Sequence, residues 1–185
     1  MQKMNAEEKG GRQLINKAVI IPTGDELKSG IVLDTDSPMI MQVILSINNN
    51  CNIIRNKPVK DAESAITNCI RSYAEQDVDL IVLIGGSGGG HRHSSTLGKD
   101  FTHSSLDSVL DIKHTTELYG KNGHLWSKIV CGIINKTVVI NVPGPYQEAR
   151  AAIEAFKRAF EENKEDLKLI NARMAEAVKL QYGTC

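Results

Sequence analysis

Apolar residues come in short unbroken runs in the first half of the chain and in a spaced stripe near its end. Residues 17–21, KAVII, form a run that stops at Pro22, as a strand would. Asp36 and Ser37 then precede Pro38, a pattern that can cap a helix with proline in its first turn. Ile40, Val43, Ile44 and Ile47 follow at helical spacing. Residues 51–57 predict a second strand, and Asp61 opens a helix with Ile66, Ile70 and Tyr73 on one face. LIVLI at 80–84 has the pattern of a central parallel strand, whose two faces are both covered. The order strand, helix, strand, helix, strand predicts an α/β fold with a mostly parallel sheet. SKIVCGI at 127–133 and TVVINV at 137–142 predict a hairpin or two adjacent strands.

The stretch from Gln147 to about Gln181 is strongly helical in pattern. Ile153, Phe156, Phe160, Leu167, Ile170, Met174 and Val178 recur at steps of three and four, with one polar step at Asn163. Such a stripe belongs either to one or two helices on the domain's own core or to a contact with another copy. Residues 1–16 are polar and read as a loose arm.

Composition narrows the function classes. The 185 residues suit one domain with a small extension. Lysine plus arginine and aspartate plus glutamate balance at 22 each, so there is no net basic field for nucleic acid or an anionic membrane. No apolar run approaches a membrane span, and MQKMNAEEKGG has no signal-peptide core, so the expected compartment is the cytoplasm. Cys51, Cys69, Cys131 and Cys185 match no zinc spacing and read as reduced thiols.

The chemistry gathers at strand ends. LIVLI runs into Gly85-Gly86-Ser87-Gly88-Gly89-Gly90, followed by His91-Arg92-His93-Ser94. In open α/β sheets ligands bind outside the carboxyl ends of strands, and glycines let backbone N–H groups approach an anion. Arg92 suits an oxyanion, and the loop is not a Walker A loop. His91 and His93, with His103, could alternatively start a transition-metal site. The first strand ends in Thr23-Gly24-Asp25-Glu26, and Asp34 and Asp36 follow as turn, capping or ligand residues. The last strand ends in Val142-Pro143-Gly144-Pro145, a turn that offers free N–H groups where a helix begins. Asp25 either caps its turn or, with Glu26, brings carboxylates for Mg²⁺ or proton transfer.

TGDEL at 23–27, DTDS at 34–37, GGSGGG at 85–90 and VPGP at 142–145, in that order, resemble the molybdopterin-binding domain of molybdenum cofactor biosynthesis. KNGH at 121–124 is a looser match. The family includes molybdopterin adenylyltransferases and molybdotransferases, and its fold recurs in the competence-damage protein CinA. The resemblance covers roughly residues 17–160, leaving an arm at 1–16 and a helical extension at 161–185. It implies a three-layer α/β/α fold with a mixed, mostly parallel sheet. It implies that Ser87 and the loop N–H groups hold the pterin phosphate, with Thr23, Gly24, Pro143 and Gly144 at the same site. It also implies a homo-oligomer, a trimer before a dimer. Asp25 and Glu26 would be the catalytic carboxylates, with Mg²⁺ and molybdate as accessory species in molybdenum insertion. A non-catalytic cofactor carrier and a CinA-like nucleotide pyrophosphatase are the alternatives. One departure stands out: His91-Arg92-His93 replaces the aspartate that transferases of the family carry after the loop. Imidazole does not replace a hard oxygen ligand for Mg²⁺.

Overall fold

A computed structural model describes residues 14–88, 101–121 and 123–182. Its elements are β1 (Lys17–Pro22), α1 (Asp25–Lys28), α2 (Asp36–Ile47), β2 (Asn52–Arg55), α3 (Glu63–Ala74), β3 (Leu80–Ile84), α4 (Phe101–Val109), β4 (Ile112–Tyr119), β5 (Leu125–Ile134), β6 (Thr137–Val142), α5 (Tyr146–Asn163) and α6 (Leu167–Gln181). The strands form one six-stranded sheet in the order β2-β1-β3-β6-β5-β4. The pairings β1 with β2, β1 with β3 and β3 with β6 are parallel, whereas β5 runs antiparallel to both its neighbours.

Strand periodicity divides the core in two. Ala18, Ile20, Leu80, Val82 and Ile84 face α2, α5 and α6, which contribute Ile40, Ile44, Phe156, Ile170, Met174 and Val178. Val19, Ile21, Ile81 and Leu83 face α3 and α4, which contribute Ile66, Ile70, Leu106 and Val109. This is the three-layer α/β/α arrangement. Every residue of β3 is buried, as its unbroken apolar run requires.

The apolar stripe near the end of the chain lies inside this core. It is carried by two helices, separated where the Asp166 carboxylate accepts from the Leu169 N–H and caps α6. Ile153, Phe156, Ile170, Met174 and Val178 are fully buried within the chain, so these residues of the stripe pack on the domain's own core, with Phe160 partly buried beside them. Asn171, also buried, ties α6 to the sheet: its amide donates to the Ile129 carbonyl at 2.9 Å and its oxygen accepts from Thr116 at 2.6 Å.

Besides the single-turn α1, two elements have no counterpart in the sequence pattern. The edge strand β4 reads IKHTTELY, and only Leu118 of it is buried, so it lacks an apolar run. Helix α4 buries Thr102 and Ser105 beside Leu106 and Val109 and shows a mixed face. Among the described residues, no helix is long and apolar enough to cross a membrane.

Candidate functional site

The chain leaves β1 on one face of the sheet through α2 to reach β2, then returns on the other face through α3 to β3. The carboxyl ends of β1 and β3 are therefore a topological switch point, where the two crossovers diverge and leave a crevice. Hydrogen bonds align the strand ends there. The Thr23 N–H and hydroxyl both donate to the Ile84 carbonyl at 2.9 Å, and the Gly85 N–H donates to the Val142 carbonyl at 3.1 Å. Beyond Ile140 the β5–β6 ladder ends, and the Asn141 side chain substitutes for it. Its side chain accepts from the Val130 N–H at 2.6 Å and donates to the Lys128 carbonyl at 2.9 Å.

A cavity of about 480 Å³ fills this crevice. Part of its lining is bare backbone. Gly85 and Gly86 have φ of 89° and 61°, in the left-handed region, and a side chain on Gly85 would press on the Thr23 carbonyl. Gly144 lies across from them: a Cβ added there would stand 3.8 Å from the Gly85 Cα. Pro145 and Tyr146 line the cavity as well, and α5 starts there without a side-chain cap. The first N–H groups of that helix thus face a site floored by glycine, a combination that favours an anion.

The rest of the lining is acidic and apolar. Glu26, Asp34, Asp36 and Asp61 line it, together with Leu27, Val32 and Leu33. Asp34 is structurally occupied: it accepts from the Ser37 N–H at 2.9 Å, from the Ser37 hydroxyl, and from Arg55 at 2.7 and 2.8 Å. Burial alone would raise its pKa, but these donors outweigh it and hold the carboxyl below the ordinary aspartate value. Asp36, two residues on, has a single long bond from the Thr35 hydroxyl at 3.4 Å. Burial, with the Asp34 charge beside it, pushes its pKa up to about 6. Asp61 accepts from the Asp25 backbone N–H, and burial followed by the Glu26 and Asp25 charges raises its pKa.

Of the residues expected at the site, Thr23, Gly24, Glu26, Gly85, Gly86 and Gly144 line this one cavity. Pro143 is buried directly before Gly144. Asp25 is exposed on α1 and is not among the lining residues. Ser87 is buried at the root of the loop, where its hydroxyl accepts from Ser127 at 3.2 Å and its carbonyl from the Lys128 N–H at 2.7 Å. Gly88 is partly buried, and Gly89, Gly90, His91, Arg92, His93 and Ser94 lie outside the described residues.

Asp61, Val32, Leu33 and Tyr146 were not expected at the site. Nothing in the sequence around Asp61 distinguishes it from a helix-opening residue. It reaches the cavity because β2 pairs beside β1, which brings the loop after β2 to the crevice. His103 is also close: its ring donates to the Ser87 carbonyl, and burial lowers its pKa, assisted by the Lys128 charge. Its Nε2 has no partner among the described residues. Among those residues, no three histidine, cysteine or acidic side chains are arranged to hold a metal ion.

A family model described as a probable molybdopterin binding domain matches residues 19–162, the span from β1 through most of α5. The chain belongs to the molybdopterin-binding domain family. Among curated proteins, molybdenum cofactor biosynthesis protein B of Staphylococcus aureus is 27% identical over 106 residues, 52% of this chain. That stretch spans 59% of the relative's own length. Among solved structures, the molybdopterin biosynthesis Mog protein of Mycobacterium ulcerans superposes with a TM-score of 0.63 at 22% identity, covering 82% of this chain and 99% of that one. A CinA protein of Thermoplasma acidophilum follows the same fold with a TM-score of 0.56 at 17% identity, over 82% of this chain and 99% of that one.

Proposed function

We propose that this protein binds molybdopterin by its phosphate during molybdenum cofactor biosynthesis. The phosphate would rest on the backbone of Gly85, Gly86 and Gly144, before the uncapped start of α5. The observation that carries this reading is the meeting of three glycine-bearing strand ends in one crevice. Each gives backbone N–H groups room to approach an anion, and the helix dipole adds a favourable field of about half a charge. Ser87, held from below by Ser127 and Lys128, supports the loop that continues toward Gly90. His91, Arg92 and His93 add positive charge next along the chain. If the protein also assists molybdenum insertion, Glu26 is the carboxylate of TGDEL that lines the cavity, with Asp61 beside it. These two, rather than Asp25, which does not line the cavity, would hold or move a proton there. The workplace is the cytoplasm, and the working form is a homo-oligomer that uses a surface other than the buried C-terminal stripe. Light scattering at micromolar concentration tests the assembly, and a monomer mass would exclude it.

The test of ligand binding is calorimetry with molybdopterin on the wild type and on Gly144→Val. A Cβ at this position meets only the Gly85 Cα at ordinary contact distance, so the fold tolerates it, while the valine methyls enter the phosphate site. The wild type should bind and the folded variant should lose most of its affinity. Equal binding by both proteins would place the phosphate elsewhere.

A further inference from the structure

The cavity lining combines two kinds of chemistry, and a phosphate accounts for only the glycine-bearing part of it. Asp36 is 6% exposed, yet among the described residues its carboxylate has one bond, and that bond is 3.4 Å long. An ionised carboxylate offers about four acceptor positions, and buried polar groups are nearly always satisfied. The neighbouring Asp34 shows what satisfaction looks like in the same turn, with Ser37 and Arg55 around it. Asp36 is therefore not needed to cap α2, because Asp34 does that. Val32 and Leu33 line the same cavity while 48% and 81% exposed, an apolar lip with nothing over it among the described residues. A carboxylate with free acceptor positions beside an apolar lip fits a flat ring whose edge donates N–H bonds. An all-anionic ligand would be repelled there.

We propose that Asp36 is a specificity-determining residue that accepts hydrogen bonds from the 2-amino and N3–H groups of a 2-amino-4-oxo pyrimidine ring lying against Val32 and Leu33. This rests on the phosphate-binding reading of the cavity and identifies what the rest of its lining recognises. Two parallel N–H bonds to one carboxylate are short and directional. A ring that carries oxygen in place of the 2-amino group turns one donor into an acceptor facing a carboxylate.

Three probes separate the outcomes: inorganic phosphate, 6-hydroxymethylpterin phosphate, and the corresponding lumazine phosphate, in which oxygen replaces the 2-amino group. Guanosine monophosphate, which shares the pyrimidine edge on a different ring system, is the fourth. The wild type should prefer the pterin over the lumazine by roughly 10- to 100-fold, the range expected for a hydrogen bond to a charged group. Asp36→Asn should lose that preference while binding inorganic phosphate as the wild type does. The wild-type comparison needs no variant, so a folding defect in Asp36→Asn does not remove the test. Equal binding of pterin and lumazine phosphates by the wild type would overturn the role of Asp36 and leave the phosphate site standing. Failure of all four probes would overturn both. Guanosine monophosphate bound more tightly than the pterin would overturn the pterin as the source of the ring.

Discussion

Asp36 should destabilise the fold that holds it, and the size of that effect follows from its surroundings. Its carboxyl titrates at about 6 in place of the ordinary 3.8 because it is buried and stands beside Asp34. Each pH unit of such a displacement corresponds to about 1.4 kcal/mol, so the ceiling is about 3 kcal/mol. The cavity side is open to water, which keeps the effect below that ceiling. The expected net gain for Asp36→Asn is about 2 kcal/mol at pH 8. The sign depends on pH. Below about pH 4 the carboxyl is protonated in both folded and unfolded chains, and the two proteins should be similarly stable. Between about pH 4 and 6 the unfolded chain releases the proton while the folded one keeps it, so the wild type falls behind as pH rises. Above about pH 7 the gap should be constant. Urea unfolding of both proteins at pH 4, 5, 6, 7 and 8 measures it, and their difference isolates this group from the other carboxylates. A difference that does not change with pH, or one in which the variant gains most in acid, would refute the reasoning. Stability given up at a buried, under-bonded carboxylate is the common accompaniment of a binding role.

The same group predicts that discrimination between pterin and lumazine phosphates weakens as pH falls through about 6, because Asp36 must be ionised to accept both N–H bonds; competition binding at pH 5 and 8 measures this. Asn141→Ala should cost about 2 to 4 kcal/mol in chemical unfolding, since it leaves the Val130 N–H and the Lys128 carbonyl without their side-chain partner. Gly120→Ala should lower thermal stability by about 1 to 3 kcal/mol, because a Cβ there overlaps the Trp126 indole, whose ring lies 4.4 Å from that of Tyr182. Loss of the native tryptophan fluorescence signature should accompany it.

What the sequence determined by itself was local. The apolar runs at 17–21 and 80–84 have too few polar positions to be anything but covered strands, and they appear as β1 and β3. Pro38 sits in the first turn of α2 as its missing N–H allows, and the 127–142 stretch closes as a hairpin, with Asn135 at a φ of 55° in its turn. The glycines at 24, 85 and 86 have positive φ, which their type permits and most others resist. The family was legible for the same reason, since each of its motifs is a short stretch after a strand. The tertiary structure decided what depends on order across the sheet. Placing β1 between β2 and β3 made a switch point and brought Asp61 to it, although residues 23, 61, 85 and 144 are far apart in the chain. It also gave two aspartates in one turn opposite environments. Arg55, 21 residues beyond Asp34, reaches that carboxylate from the end of β2, and Asp36 has no such donor. The fate of the C-terminal stripe was settled likewise: the spacing defined an apolar face, but only the position of α6 over β4 and β5 determined what it covers. Periodicity reports that a face is to be buried; the partner that buries it is chosen by the packing of the whole sheet.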